Sequence, residues 1–174
     1  MKIEVLKNSL FNQFKEDVYK LVNKVYRDFE SRLWGDDYER ISQEELIYLS
    51  AQGSIYIAHD EGALLGVVKY LSMNEIEAEF GMLVTNPLYR GKGVASKMVS
   101  FVEKKAREEG RLQMRLEILK PVNEIHEDKE RLDKWYTKIG YIESHKEAFS
   151  TMYPHLAPII KIECDFVVYK KKLI

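Results

Sequence analysis

From residue 15 to residue 33, KEDVYKLVNKVYRDFESRL, apolar side chains recur three or four positions apart at Val18, Leu21, Val22, Val25, Phe29 and Leu33. That spacing predicts an amphipathic helix. A second helix is predicted over SQEELIYLSAQG, where Ser42 and Glu45 form a capping box and Gly53 is the stop. Runs rich in β-formers follow. SIYIAH, ALLGVVKYLSM and IEAEFGMLVT, separated by DEG and NE, predict three antiparallel strands in a meander. In the third, Ile76, Ala78, Phe80 and Met82 alternate with Glu75, Glu77, Glu79 and Gly81. A glycine in mid-strand predicts a bulge or a close backbone approach there.

The helical period returns at Val94, Met98, Val102 and Ala106, predicting a helix over about 93–109 with Gly110 as its stop. LQMRLEILK reads as a strand closed by Pro121, EDKERLDKWYTKIG as a helix ending at Gly140, and YIESHKEAF and KIECDFVVYK as two last strands. YPHLAP between them is a loop or single turn. The order is α+β, with one βαβ unit across the third strand, the helix after it and the next strand. Neither repeats nor low-complexity segments occur, and 174 residues suit a single domain over 1–174.

The turn inside that unit, NPLYRGKGVASKM, carries the chemistry. A strand that leads through RGKG into a helix offers free backbone N–H groups, the positive end of the helix dipole and glycines that permit close approach. Arg90 and Lys92 add charge on both sides, so a phosphate or pyrophosphate is the expected guest. A Walker loop is excluded, because Gly93 follows Gly91-Lys92 and Asn86 stands where the first glycine belongs. A dinucleotide fingerprint matches Gly91 and Gly93 but meets Ser96 at its third glycine. The bland alternative is a strand-to-helix turn punctuated by glycine.

Composition narrows this further. Lys and Arg total 27 against 28 Asp and Glu, and no basic stripe occurs, so neither nucleic acid nor an anionic membrane is an expected partner. The single cysteine, Cys164, alternates with Ile162, Phe166 and Val168 and reads as a buried thiol. A chain with one cysteine and no apolar leader is expected in the cytoplasm. The four histidines are scattered without metal-ligand spacing, and no metal is expected.

The hexapeptide RGKGVA also satisfies R/Q-x-x-G-x-G/A through Arg90, Gly93 and Ala95. With EFGMLVTNPLYRGKGVASKM followed about 45 residues later by WYTKIGYIES, the chain resembles the GNAT family of N-acetyltransferases from about residue 10 onward. The resemblance implies a mixed, mostly antiparallel sheet of about seven strands flanked by about four helices. It also implies acetyl-coenzyme A as acyl donor, an amine as acceptor and direct transfer of acetyl between them. The amides of Gly91, Lys92, Gly93, Val94, Ala95 and Ser96, with Arg90 beside them, would hold the pyrophosphate. Backbone groups near Leu83 and Val84 would pair with the pantetheine arm. Tyr136 matches the family's general acid. Glu79 is the expected base and Glu77 its alternative, both on the strand that runs toward the acetyl group. Lys129 stands where many members carry an asparagine that touches the coenzyme, and would reach a phosphate instead. The acceptor would meet Trp34, Tyr38, Tyr153 and His155 as an aromatic wall, with Asp36, Asp37 and Glu39 attracting a cation. Exposed edges of the late strands leave a homo-oligomer open. The alternative is a module of the same fold that binds coenzyme A without turnover.

Overall fold

The structure, a computed structural model, describes residues 1–35 and 37–174. Among the described residues, seven strands form one sheet in the order β1-β2-β3-β4-β5-β7-β6, accompanied by five helices. The strands are β1 (Lys2–Val5), β2 (Ile55–Asp60), β3 (Ala63–Ser72), β4 (Glu77–Thr85), β5 (Gln113–Pro121), β6 (Ile142–Ala148) and β7 (Cys164–Lys172). The helices are α1 (Asn8–Trp34), α2 (Gln43–Ala51), α3 (Val94–Glu108), α4 (Glu127–Lys138) and the single turn α5 (Phe149–Met152). All neighbouring strands are antiparallel except β4 and β5, which α3 joins in parallel.

Two elements extend what periodicity predicts. The strand β1 precedes the first helix and pairs along β2 from Lys2–His59 to Val5–Tyr56. Helix α1 starts at Asn8 rather than near residue 15, because Phe14 continues its apolar stripe and is buried beside Val18 and Val22. These three pack with Ile55, Ile57, Val67, Met82 and Val84 on one face of the sheet. On the other face, Val94, Met98, Val99, Val102 and Ala106 of α3 pack on Val68, Tyr70, Ala78, Phe80, Leu116 and Ile118. Full burial of such side chains contributes roughly 1.5–3 kcal/mol each, which makes these two layers the frame that holds the strands in place.

The strand β4 changes face half-way along. Val67 pairs with Val84 and Lys69 with Gly81, so Met82 and Leu83 together oppose Val68 alone. The extra residue reverses the alternation. Ala78 and Phe80 point toward α3, whereas Met82 and Val84 point toward α1. The bulge lies one residue past its predicted centre at Gly81. It is Met82 that carries the left-handed φ of 51°, while a Cβ on Gly81 would meet only Lys69 Cε at 3.9 Å. The glycine that close packing does require is Gly66 on β3, where a Cβ would stand 2.8 Å from Met98 Sδ and 3.0 Å from the Val84 carbonyl oxygen. Among the described residues, no helix is long and apolar enough to cross a membrane.

Candidate active site

The parallel ladder between β4 and β5 lasts for three pairs, Glu77–Gln113, Ala78–Met114 and Glu79–Arg115. Beyond Glu79 the two strands part. β5 continues along β7 to Pro121, while β4 continues along β3 to Thr85. The edge of β4 that faces the gap is therefore without a strand partner from Phe80 onward, and its peptide groups are free to pair with an extended, amide-bearing ligand. Leu83 is half-buried at this edge, against the α3 side of the core. The Val84 side chain is buried in the opposite core layer. Only the backbone of Val84 is thus available to a ligand.

At the end of β4 the chain is clamped before it turns. Asn86 Nδ2 donates to the Leu64 carbonyl at 3.0 Å, and its Oδ1 accepts from the Leu88 N–H at 3.1 Å, capping a 3-10 turn over Pro87–Tyr89. Gly91 and Gly93 follow with φ of 78° and 73°, in the left-handed region that side chains resist. Among the described residues, the backbone N–H groups of Gly91, Gly93, Val94, Ala95 and Ser96 have no partner, while Lys92 donates back to Tyr89. A Cβ on Gly91 or Gly93 would enter open space, the space that an anion bound to those amides would fill. Arg90 is exposed, and the Lys92 ammonium lies 5.2 Å over the Tyr89 ring. Of the predicted loop residues, Val94 is buried and anchors α3, so it too presents only its amide. The strand edge, the amides and the two cations fit a coenzyme A thioester.

A cavity of about 560 Å³ opens at the split, lined among others by Glu79, Phe80, Gly81, Leu83, Glu117 and Tyr136. Two neighbouring glutamates on β4 have different surroundings. Glu77 accepts from Lys170 Nζ at 2.9 Å and from Gln113, and although burial opposes it, these bonds hold its carboxyl below the ordinary glutamate value. Glu79 faces the cavity. Burial first, and then the negative charge of Glu117, raise its carboxyl above the ordinary value against the pull of Arg115 Nε at 2.9 Å. Arg115 is shared between Glu79 and Glu117. Such a carboxyl is the better proton acceptor of the two near neutral pH.

Tyr136, on the last turns of α4, packs on Phe80 and Tyr141 with centroids 6.0 and 5.9 Å away. Burial raises its phenol well above the usual tyrosine value, so it stays protonated at neutral pH and is a weaker acid than an exposed tyrosine. Trp34, Tyr38, Tyr153 and His155 also line the cavity, with Trp34 stacked on Tyr38 at 4.2 Å. The acidic trio does not assemble. Glu39 lies on the rim and accepts from the Tyr19 hydroxyl, Asp37 is exposed away from the cavity lining, and Asp36 lies outside the described residues.

Lys129 departs from its expected role at a coenzyme phosphate. It is buried, and its ammonium is bound to Glu30, whose other oxygen accepts from Trp34 Nε1 at 3.0 Å. A buried cation released from its carboxylate would be strongly destabilised, so this lysine braces α4 against α1. Cys164 is buried, and burial pushes its thiol up to about 11, as befits a core residue. Asn86, Arg115, Arg40 and Lys69 are site residues that sequence reasoning missed. Asn86 had a visible signal in its Asn-Pro step, and Arg115 had one in its alternation with Gln113 and Glu117.

The sequence model of the acetyltransferase (GNAT) family matches residues 16–141. The chain belongs to the GNAT family. Solved acetyltransferase structures superpose on three quarters or more of its length. One is an aminoglycoside 6'-N-acetyltransferase complexed with coenzyme A, with a TM-score of 0.72 and 16% identity over 100% of this chain and 98% of that one. Another is the aminoglycoside 6'-N-acetyltransferase from Enterococcus faecium, with a TM-score of 0.71 and 14% identity over 100% and 98%. A third, a GNAT family acetyltransferase from Elizabethkingia anophelis with acetyl-CoA bound, has a TM-score of 0.59 and 15% identity over 76% and 84%. At these identities the likeness is one of fold. No curated protein matches the sequence. The GNAT assignment agrees with the open β4 edge and the glycine loop, both of which lie inside the matched residues.

Proposed function

We propose that the protein is an N-acetyltransferase that moves the acetyl group of acetyl-coenzyme A directly to a primary amine. The observation that carries this reading is Glu79, a carboxyl of raised proton affinity that shares one cavity with Tyr136 at the mouth of the β4–β5 split. The bound thioester supplies an electrophilic acetyl carbon. The loop amides and the β4 edge hold the donor, and an amide near Leu83 faces the oxygen on which charge develops. An acceptor amine is mostly ammonium at neutral pH, since an alkylamine has a pKa of about 10.4, and its proton must leave before nitrogen can attack. Glu79 takes that proton, directly or through one water. The new C–N bond forms as the C–S bond breaks, the Tyr136 phenol donates to the leaving sulfur, and the second proton, shed by the acylated nitrogen, passes through water to restore the phenol.

The reaction needs neither an acyl-enzyme nor a metal in this scheme, and the buried Cys164 thiol is left out of it. We place the enzyme in the cytoplasm, where a single unpaired thiol is at home. Following free thiol release from acetyl-coenzyme A across a panel of amines tests the reading. Amine-dependent release that Glu79→Gln and Tyr136→Phe both diminish supports it. Tight coenzyme binding with no amine-dependent release would favour the non-catalytic alternative.

A further inference from the structure

Charges of both signs line the cavity. Glu30 is bound to Lys129, and Glu79 and Glu117 share Arg115. Glu39 and Glu45 are exposed at the rim, and Glu39 takes the Tyr19 hydroxyl. Two half-buried cations also line the cavity, Arg40 from the α1–α2 link and Lys69 from β3, and neither takes part in a salt bridge among the described residues. The Arg40 guanidinium lies 5.1 Å over the Tyr26 ring, which fixes it without neutralising it. Lys69 pairs across the ladder with Gly81, whose missing side chain leaves its stem uncovered toward the cavity. Burial first, and then the like charge of Arg40, hold its ammonium below the ordinary lysine value. Glu79, Glu45 and Glu117 attract Lys69 and Glu30 attracts Arg40, but none is in ion-pair contact with either cation among the described residues, so both keep donors for an anion.

We infer that the acceptor is a primary amine that also carries a carboxylate, an amino acid in its chemistry. Its carboxylate lies between Arg40 and Lys69, and its amine is next to Glu79. Lys69 and Glu79 are diagonal neighbours on adjacent strands, since Lys69 opposes Gly81 and Leu71 opposes Glu79. Such neighbours stand about 7–8 Å apart, a span that one small zwitterion bridges. Trp34, Tyr38 and Tyr153 give the acceptor's side chain an apolar wall. This inference rests on the acetyltransferase reading and adds the substrate class to it.

The test pairs free L-phenylalanine, L-leucine and L-methionine with their carboxamides and their decarboxylated amines, and includes spermidine and kanamycin as polycations. Thiol release gives kcat/KM for each, and thermal melts with each acceptor give binding independent of turnover. The expected result is a preference for the free acid over its amide of about tenfold or more, the factor that charge-assisted bonds supply. In Arg40→Gln and in Lys69→Met that ratio falls toward one, and Arg40→Lys restores part of it. Amides or polycations used as well as the acids, or a ratio unmoved in both variants, would overturn the inference and leave the acetyltransferase reading intact. Stabilisation by the free acids, over their amides, without any thiol release would keep the inference and remove the catalytic reading. Neither binding nor turnover of any acceptor carrying a carboxylate would overturn it as well.

Discussion

At the scale of single residues, two proton-bearing groups pushed in the same direction by burial carry the proposed chemistry. Glu79 is raised above the ordinary glutamate value by burial and by Glu117. As the proposed base it works only when ionised, so the rate should rise with pH through this raised value and fall on the acid side of it. Glu79→Gln should lower kcat by about 100-fold or more and remove that acid limb from the pH profile. A variant that kept the limb would assign the base elsewhere. The raised value also has a sign for stability. A carboxyl whose folded pKa exceeds its unfolded pKa favours folding below the unfolded value and loses that contribution as pH climbs through the folded one. Glu79→Gln should therefore melt higher than wild type near neutral pH, with the difference shrinking in acid. In the proposed reaction Tyr136 assists a sulfur that is already a good leaving group, since thiols ionise near pH 8.5. Tyr136→Phe is expected to reduce kcat by about tenfold with little change in donor KM, and a larger fall in a slow-leaving oxygen-ester donor would confirm the role.

The supporting elements matter because they hold the donor. The loop depends on Asn86, which ties the end of β4 to β3 and caps the turn before the glycines. Asn86→Ala should cost about 1–2 kcal/mol in chemical denaturation and weaken coenzyme binding in calorimetry. Gly93→Asp puts bulk and negative charge into the open space over the free amides, and coenzyme binding should fall by about 100-fold or more. Gly110→Ala is the control. It also has a left-handed φ and open space, at the far end of α3, so it should lose about 1 kcal/mol of stability and bind the coenzyme normally.

Much of this architecture was legible from spacing alone. Six strands follow from β-rich runs bounded by turn residues, and α3 from the stripe Val94, Met98, Val102, Ala106. β1 was not, because four residues bearing two charges are too short a pattern to separate from a helix approach. The bulge was foreseen but centred on the glycine, whereas tertiary packing forces the left-handed turn onto Met82 so that its side chain can enter the α1 layer. Lys129 differs from expectation for a related reason. Its partner Glu30 is 99 residues away, a contact that no local pattern announces.

Across the whole molecule, the site is a meeting of distant segments, with α1 and its link, β3, β4, β5, α4 and the segment before β7 all lining one cavity. The Glu30–Lys129 pair joins two of them out of water. Lys129→Met alone should destabilise by about 3–5 kcal/mol, because it strands a buried carboxylate. The double variant Glu30→Leu with Lys129→Met should recover most of that loss, short of the hydrogen bond from Trp34 worth about 1 kcal/mol. Urea denaturation of the three proteins measures both quantities.

The central claim is acetyl transfer to an amine, and its most direct measurement is mass spectrometry of the acceptor after incubation with acetyl-coenzyme A and the wild-type protein. The expected product is an acceptor heavier by one acetyl group, in amounts equal to the free coenzyme A thiol released, with Glu79→Gln forming far less. Thiol release without any acetylated amine, or none at all from protein that binds the coenzyme, would contradict it.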